Sequence, residues 1–352
     1  MTLADVAAAS GVSVTTASLV LTGRARELRI STEAERRVRS TAQQLGYRRS
    51  SLTAGSRAGR SQTIGFVSDT VASSGWAGDM VKGAVDAAYR HGFMLFVAES
   101  GGDPLVERAL VDTMRDRRAD GVVFASTHTR TAAVPDVLYD GPAVLLNATP
   151  ATSAAVPSVL PDEVQAGRSA ARVLVEAGHD RDIHLIGAGP GMCDIPSHGI
   201  AAADRLLGLR EVFTAAGAEV ASARWCPKWT PEHGFDATAE LLRTHRPKAL
   251  VCLNDRLAFG AYQALAEAGL SVPDDVSVIG FEDHPIASWM RPRLATVALP
   301  HYELGAWAIR VLVDLVVRRG RGARAPMIHR VPMPVREGGS VAAPRGGTGC
   351  AR

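Results

Sequence analysis

Apolar runs alternate with segments of helical periodicity over most of the chain. From Thr63 onward, seven runs rich in β-branched and aromatic residues predict strands: TIGFVSD, FMLFVAES, GVVFAS, AVLLNA, IHLIGA, ALVCLN and VSVIGF. Amphipathic patterns between them predict helices over 77–91, 104–117, 163–178, 200–217, 232–245 and 256–269. Strands that alternate with helices predict an α/β fold, in which helices cover both faces of a parallel sheet. The alternation divides near residue 160, which predicts two lobes with a cleft that closes by hinge motion.

The first 47 residues follow a different pattern, of short helices separated by turns. LADVAAAS, with Thr2 as its N-cap, is followed by a turn at Gly11 and by VTTASLVLT, capped by Ser13. Ser31 or Thr32 then caps a third helix that ends at Gly46. A helix, a glycine turn, a second helix and a packing helix are typical of a helix-turn-helix DNA-binding module. A generic three-helix bundle is the alternative.

Charge separates this head from the rest of the chain. Residues 1–63 contain ten arginines and four acidic residues, a net charge of +6, whereas the remainder carries −3. A small basic head on a slightly acidic body indicates a polyanionic partner. A solvated arginine-rich surface is the alternative interpretation.

Composition narrows the class of protein further. The chain has 352 residues, of which 46% are hydrophobic and 21% charged, values that are typical of globular proteins. No apolar run approaches the roughly 20 residues of a membrane helix, and the N-terminal segment lacks the basic region of a secretory signal. The four cysteines form neither a CxxC pair nor a metal-binding spacing, so we expect a cytoplasmic protein without a disulfide framework.

Motifs of catalysis are missing from the sequence. There is no P-loop and no GxSxG elbow, and the GxGxG of Gly187, Gly189 and Gly191 is interrupted by Pro190. We therefore expect neither enzymatic activity nor catalytic residues, and no cofactor or metal ion.

An ordered series of motifs resembles the LacI family of bacterial transcription regulators. The series is TLADVAAASGVSVTTASLVL, RIS, ERRVRSTAQQLGY, TIGFVSD, AAADRLLGLREVF, CLNDRLAFGAYQALAEAGLSVPDDVSVIGFED and TVALPHYELG, and it extends to about Arg336. The resemblance implies an N-terminal helix-turn-helix DNA-binding domain and a two-lobed domain like the periplasmic binding proteins, with doubly wound parallel sheets. It also implies a homodimer and three crossings of the chain between the lobes.

These observations together define the expected domains. We expect a head over 1–47, a hinge or linker over 48–62, an effector-binding and dimerisation domain over 63–340 and a disordered tail over 341–352. The first lobe would comprise about 63–159 and 290–322, and the second about 160–289 and 323–340. No coiled-coil heptads occur in the tail, which argues against a tetramerising segment.

The resemblance assigns DNA contacts to the second helix and its surroundings. It puts Val14, Thr15 and Leu19 at base-reading positions, and it implies phosphate contacts for Thr2, Ser13, Thr16 and Ser18. Only Thr15 among the three readers can form a hydrogen bond, so we expect modest direct readout of the bases. The loop that follows is about three residues longer than is usual in the family, and its basic residues are further candidates for phosphate contacts, with simple solvation as the alternative: Arg24, Arg26 and Arg29.

The linker departs from the family pattern. In the family this stretch forms a hinge helix that presses a leucine into the minor groove, but here Ser56 stands at that position, and Leu52 lies one helical turn earlier. Gly55 and Gly59 weaken a helix by roughly 1 kcal/mol each. We therefore expect backbone contacts from the linker arginines rather than a wedge: Arg48, Arg49, Arg57 and Arg60.

Candidate effector-binding residues lie at strand ends, where the cleft of such a fold is lined. The resemblance assigns effector contacts to Arg205, Asn254 and Glu282, and ring stacking to Trp76 and Trp229. Asp69 and Asn147 end two further strands. Charged and amide groups beside aromatic faces favour a sugar or another polyol. The alternative roles are strand-end caps, surface charges and core packing, and the family more often has Asp where Glu282 stands.

The leading hypothesis is a ligand-responsive transcriptional regulator, a repressor that binds a pseudo-palindromic operator and is released or recruited by a small carbohydrate-like effector. The alternative is a sugar-binding α/β clamp without specific DNA binding, and an α/β enzyme acting on sugars is a third hypothesis. If the head binds DNA, the logarithm of the binding constant should fall with the logarithm of the salt concentration, with a slope near −0.9 per neutralised phosphate. Recruitment of a protein should be less sensitive to salt.

Overall fold

A computed structural model describes residues 1–25, 29–47, 61–75, 77–151, 156–189, 200–318 and 328–344. The chain folds as two compact units, one of residues 1–63 with 118–120 and the other of the remaining residues. No single helix in the described ranges is long and apolar enough to cross a membrane. Two helices within 3–21 reach that length and apolarity only when they are counted together, and the chain bends sharply between them.

Three helices form the head. Thr2 and Asp5 form a reciprocal capping box at the start of the first helix, and Gly11, at φ 65°, ends it in the left-handed conformation. Ser13 caps the second helix. Of the two candidate caps of the third helix, Ser31 and Thr32, the structure selects Ser31. The helices are α1 (Leu3–Ser10), α2 (Val14–Leu21) and α3 (Thr32–Gln44).

The head has a small core of its own. Small side chains let α1 and α2 cross closely, and α3 covers the junction. The three helices and the start of the loop after α2 supply its buried residues: Val6, Ala7, Ala17, Val20, Ala25, Val38 and Ala42. The helix-turn-helix arrangement predicted from the periodicity is thus confirmed.

The first lobe is a six-stranded sheet in the order β11-β5-β4-β3-β1-β2. The pairs β1–β3, β3–β4, β4–β5 and β5–β11 are all parallel. Its strands are β1 (Thr63–Ser68), β2 (Met94–Glu99), β3 (Gly121–Ala132), β4 (Ala143–Pro150), β5 (Ser158–Pro161) and β11 (Ile328–Val331). Its helices are α4 (Gly78–Arg90), α5 (Pro104–Asp116) and α11 (His301–Val317), and a short 3-10 helix spans Asp136–Asp140.

The second lobe repeats this architecture in the order β12-β10-β9-β8-β6-β7. Neighbouring strands of this sheet run parallel except β10 and β12, which are antiparallel. Its strands are β6 (Ile183–Gly187), β7 (Val220–Trp225), β8 (Ala249–Cys252), β9 (Ser277–Glu282), β10 (Ala295–Ala298) and β12 (Val335–Arg336). Its helices are α6 (Glu163–Glu176), α7 (Ile200–Ala216), α8 (Pro231–Thr244), α9 (Asp255–Glu267) and α10 (Pro285–Trp289).

The chain crosses between the lobes after β5, after β10 and after β11, and this differs from the expected division. We expected the segment 290–322 in the first lobe, but β10 pairs with β9 of the second sheet, so only α11 returns to the first. We expected the segment 323–340 in the second lobe, yet β11 pairs with β5 of the first. Backbone pairing, which four-residue strands do not reveal in sequence, decides both cases.

The expectation that a disordered tail begins at residue 341 is also wrong. Val341 packs against the core of the second lobe, and the Ala342 N–H donates to Ser277 Oγ at 3.1 Å. His179 Nε2 lies 3.0 Å from the Ala342 carbonyl oxygen. These hydrogen bonds fix the segment against β9, and only 345–352 of the expected tail lie outside the described residues.

Candidate DNA interface and effector cleft

The first turn of α2 presents the predicted base-reading residues to solvent. Val14 is 49% exposed, and Thr15 is also exposed, whereas Leu19 is half-buried one turn later. Ser13 Oγ accepts from the Thr16 N–H at 3.0 Å, which satisfies the cap and orients the turn. An exposed valine beside a threonine can contact a thymine methyl group and form one hydrogen bond.

The other predicted DNA contacts are only partly described. Thr2 and Arg29 are exposed, and Ser18 and Arg24 are half-buried. Five of the predicted loop and linker arginines lie outside the described residues: Arg26, Arg48, Arg49, Arg57 and Arg60. The same holds for the candidate stacking residue Trp76.

Close helix packing positions the central arginine of the second lobe. A Cβ on Gly167 of α6 would lie 2.1 Å from the Arg205 carbonyl oxygen, and a Cβ on Gly208 of α7 would lie 2.0 Å from the Val164 carbonyl oxygen. Only glycine fits at both positions, so α6 and α7 cross backbone to backbone. This crossing brings Glu163, at the start of α6, against Arg205 on α7.

Arg205 is 2% exposed and is held by a bidentate pair. Its Nε donates to Glu163 Oε2 at 2.6 Å and its Nη2 to Glu163 Oε1 at 3.0 Å, while Nη1 donates to the Leu253 carbonyl oxygen. Burial alone lowers the pKa of Arg205, but the Glu163 carboxylate more than offsets this and the pKa is raised. The guanidinium therefore stays charged and oriented.

Aromatic rings flank the same guanidinium. The Arg205 carbon Cζ lies 4.9 Å from the ring centroid of Phe281 and 5.8 Å from that of Trp229. Trp229 is itself fixed, because its Nε1 donates to the Gly187 carbonyl oxygen at 2.9 Å. Asn254 donates to the Trp229 carbonyl oxygen at 3.3 Å and caps α9 through Leu257. The three predicted residues Arg205, Trp229 and Asn254 thus lie together.

Glu282 joins this cluster at the end of β9. Its φ of 101° is rare for a residue with a side chain, which marks local strain. Its Oε2 lies 3.5 Å from Arg256 Nη2, an ion pair without a hydrogen bond to that oxygen among the described residues. Burial raises the pKa of Glu282, although Arg256 and Arg205 both lower it. A buried carboxyl oxygen that accepts no hydrogen bond from the described residues suits a ligand that offers a donor.

The first-lobe candidates use their polar atoms differently. Asp69 accepts from the N–H of Thr127 at 3.0 Å and from its hydroxyl at 2.6 Å. Asn147 is fully buried and donates to the carbonyl oxygens of Ser126 and Thr127, both at 3.1 Å. These bonds hold a segment of β3 where the pairing with β4 shifts register. Asp69 and Asn147 therefore shape the first-lobe wall by fixing β3.

Sequence reasoning missed three residues of this region. Glu163 resembles an ordinary first-turn acidic residue, although the glycines of α6 and α7 were a signal for a close crossing. Arg256 follows the Asn254-Asp255 pair and pairs with Glu282. His128 lies on the register shift of β3, and nothing in its sequence context predicts that irregularity.

Comparison with known proteins assigns the chain to a family. Residues 61–332 match the family model described as periplasmic binding proteins and sugar binding domain of LacI family, and residues 2–50 match bacterial regulatory proteins, lacI family. The chain is 28% identical over 309 residues to the HTH-type transcriptional regulator DegA of Bacillus subtilis (strain 168), covering 87% of this chain and 88% of DegA. It is also 28% identical over 334 residues to the ribose operon repressor of Escherichia coli (strain K12), covering 90% and 93% of the two chains.

Solved structures agree on the fold. A lac repressor dimer bound to operator and the anti-inducer ONPF has a TM-score of 0.75 at 23% identity, covering 97% of this chain and 99% of that one. A complex of the transcriptional regulator CelR with cellobiose has a TM-score of 0.65 at 25% identity, covering 97% and 99%. With its helix-turn-helix head and its two parallel α/β lobes, this chain belongs to the LacI family of bacterial regulatory proteins, and it is a ligand-responsive DNA-binding regulator of transcription.

Proposed function

We propose that the protein is a cytoplasmic homodimeric repressor whose heads bind the two halves of a pseudo-palindromic operator. A small carbohydrate-like effector in the cleft releases it from that operator or recruits it. The observation that carries the effector assignment is the second-lobe cluster, where the fixed Arg205 guanidinium lies 4.9 Å and 5.8 Å from two aromatic ring centroids, beside the buried Glu282 carboxyl, whose Oε2 accepts no hydrogen bond from the described residues. Such a set hydrogen-bonds hydroxyl groups and packs on the C–H face of a sugar ring.

Exposed apolar surface supports the homodimer. β2 is an edge strand of the first sheet, and its Met94 and Phe96 side chains are exposed, as are Val85 and Tyr89 on the preceding α4. Apolar residues on an open sheet edge favour association unless they are covered. A second copy of the chain is the proposed cover, since the similar lac repressor structure is a dimer. Two-fold symmetry would then match two operator half-sites.

The DNA-binding proposal rests on the first turn of α2. We would incubate the purified protein with random duplexes near physiological salt and sequence the retained pool. Thr15→Glu should abolish retention, because it puts a carboxylate on the proposed groove face without touching the core. Gln43→Glu is the matched control, since Gln43 is exposed at the end of α3.

The possible results of this selection differ in what they mean. A pseudo-palindrome from the wild type and from Gln43→Glu, but not from Thr15→Glu, supports the operator-binding repressor. Retention without a common motif would mean that the head contacts only the DNA backbone. If the folded protein retains no duplex, the alternative of a sugar-binding clamp without specific DNA binding takes the place of the repressor.

The selected operator then tests the effector. Sugars such as ribose and cellobiose would be added to the operator complex, and release would be followed by fluorescence anisotropy. Arg205→Lys keeps a positive charge opposite Glu163 but cannot reproduce the bidentate geometry, so it should lose the response while it retains the operator. A normal response from Arg205→Lys would contradict the assignment of this cluster to the effector.

A further inference from the structure

A buried carboxylate binds the residues at which the linker joins β1. Asp120 is 3% exposed and lies in the turn between α5 and β3. Its Oδ2 accepts from the Gln62 N–H at 2.7 Å, and its two oxygens accept from the N–H and the hydroxyl of Ser61, both at 3.3 Å. Hydrogen bonds to a carboxylate are charge-assisted and are stronger than those between neutral groups. Residues 61–63, which are held in this way, form the linker root.

The linker root is bonded to the start of two buried strands. The Asp120 N–H donates to the Thr63 carbonyl oxygen at 2.8 Å, and the pairing of β1 with β3 begins directly afterwards, with Ile64 opposite Gly121. Ser61 Oγ lies 2.6 Å from Thr63 Oγ1 and accepts from the Thr63 N–H at 3.2 Å. Both strands are buried over most of their length. The root is therefore attached to the core of the first sheet.

The backbone of the linker root depends on these hydrogen bonds. Gln62 has a φ of 56°, and Arg118, two residues before Asp120, has a φ of 59°. Residues other than glycine rarely adopt this left-handed region, so the surrounding structure must hold both of them there. Gln62 is exposed and Ser61 is half-buried, so packing contributes little to their placement. The Asp120 carboxylate is thus the main anchor of the root.

This anchor fixes the end of the segment that joins the body to the head. When the root is bound, that segment ends at Ser61. If Asp120 releases Ser61 and Gln62, two further residues join the segment and extend its reach by up to about 7 Å. One base pair corresponds to about 3.4 Å of duplex. Release of the root is therefore comparable in scale with a change of one base pair between two half-sites.

We propose that Asp120 is a positioning residue for operator binding, which fixes the linker root and so sets the spacing of half-sites that the dimer accepts. This inference rests on the proposed function as an operator-binding dimer. The two heads must reach two half-sites at once, so the points from which their linkers start limit the distance between the half-sites. Asp120 acts through Ser61 and Gln62 and has no contact with the DNA in this role.

Limited digestion with trypsin tests the anchored root without DNA or effector. Arg57 and Arg60 both lie in the linker, and Ser61 and Gln62 directly follow the second of them. A protease needs an open backbone around the bond that it cuts, so initial cleavage after Arg60 should be about fivefold faster in Asp120→Ala than in the wild type. Cleavage after Arg57 is the internal control and should be equal in the two proteins. Mass spectrometry of the first products distinguishes the two sites.

Altered operators test the spacing. The selected pseudo-palindrome would be prepared with its own spacing and with one base pair added or removed, and binding would be measured by fluorescence anisotropy. The altered spacing should weaken binding of the wild type about tenfold but that of Asp120→Ala only about threefold, because the released root supplies the missing reach. On the original spacing, Asp120→Ala should bind more weakly than the wild type, since its released residues must be ordered on the DNA.

A second variant releases the root from the exposed side. Gln62→Pro removes the N–H that Asp120 accepts, and proline cannot adopt a φ of 56°, so it should relax the spacing as Asp120→Ala does without a change in the core. Gln62→Ala keeps the N–H and is its matched control. Asp116→Ala, at the exposed end of α5, is the control for loss of a carboxylate. Thermal unfolding confirms that each variant is folded.

The outcomes separate this inference from the proposed function. Relaxed spacing in Asp120→Ala and Gln62→Pro, but in neither control, supports the role of Asp120. Equal spacing penalties in the wild type and both variants, or unchanged cleavage after Arg60, would overturn it and leave the operator-binding repressor standing. If the wild type selects no operator, the proposed function fails and the spacing role fails with it.

Discussion

The two lobes share one architecture but use their strand-end polar residues differently. In the second lobe, two aromatic rings lie within cation–π range of Arg205, and Glu282, at the end of β9, pairs with Arg256. In the first lobe, Asp69 follows the end of β1, but Asn147 lies inside β4, which continues to Pro150 and does not end at Asn147 as we expected. The polar atoms of both residues are bonded to the backbone of β3. A strand-end residue can therefore contact a ligand or fix the wall that does.

This difference has an energetic side. The second lobe buries an ion pair, and removing one partner would leave the other charge buried and uncompensated. The first lobe instead buries neutral and charge-assisted hydrogen bonds to the irregular segment of β3. We therefore expect single substitutions in the second lobe to cost more stability than those in the first.

The largest effect is expected from Glu163→Gln. Both members of its pair with Arg205 are buried, and breaking a buried ion pair costs about 3–5 kcal/mol because a charge is left uncompensated. The free energy of unfolding from urea titrations measures this loss. Glu211→Gln is the matched control, because Glu211 pairs with Arg168 at the same 2.6 Å on the surface and should lose little. Equal losses from the two variants would contradict the distinction.

A smaller loss is expected from Asn147→Gly in the first lobe. Asn147 has a φ of 57°, which glycine adopts without strain, so the change reports the hydrogen bonds to Ser126 and Thr127. Leaving these buried groups unbonded costs about 1–3 kcal/mol, measured by the same titration. Thr149→Val is the control, since its hydroxyl makes only a 3.4 Å exposed contact with Thr131. A loss of unfolding free energy as large as that of Glu163→Gln would contradict the expectation that substitutions in the second lobe cost more stability than those in the first.

Acid pH should affect both lobes, because each contains a histidine whose charged form is disfavoured by removal from water. Burial lowers the pKa of His184 in β6 and of His301 in α11 from 6.5 to about 4. The unfolded chain takes up these protons near pH 6.5 and the native chain only near pH 4. Stability is therefore full above pH 6.5 and is lost as the pH falls from 6.5 towards 4.

Urea titrations across that pH range measure the slope. His184→Gln and His301→Gln should each flatten it, and together they should flatten it more than either alone. His91→Gln, in an exposed turn after α4, is the control and should leave it unchanged. An unaltered slope in both buried variants would show that other groups govern the acid sensitivity.

Much of the fold follows from local sequence signals. The six predicted helices of the body and the seven predicted strands all form, because their apolar periods agree with their tertiary burial. Five strands were missed. One of them, β7, has six residues and lies at the edge of the second sheet. The other four are short: β5, β10 and β11 have four residues each, and β12 has two. Such segments carry too few alternations to show a period, and long-range pairing alone defines them.

Sequence predicted only those residues of the candidate site whose side-chain type alone indicates a binding role. Arg205 and Trp229 lie together as the family resemblance implied, but the role of Glu163 depends on a helix crossing that joins residues 42 positions apart. The segment between Ala125 and Arg130 is placed by a register shift between two strands, which no local pattern encodes. Sequence can identify a candidate residue of the cleft wall, whereas tertiary packing decides which residue it pairs with.

The smallest effect is expected where the two lobes touch at the surface. Arg330 on β11 of the first lobe lies 3.3 Å from Asp204 on α7 of the second, immediately before Arg205. Both side chains are partly exposed, so a double-mutant cycle of Asp204→Asn and Arg330→Gln should give a coupling of only about 0.2–1 kcal/mol, which added salt reduces. Because the pair joins the lobes, the same variants should also ease opening of the cleft. A coupling that persists at high salt would mean that the lobes are joined here by more than surface charge.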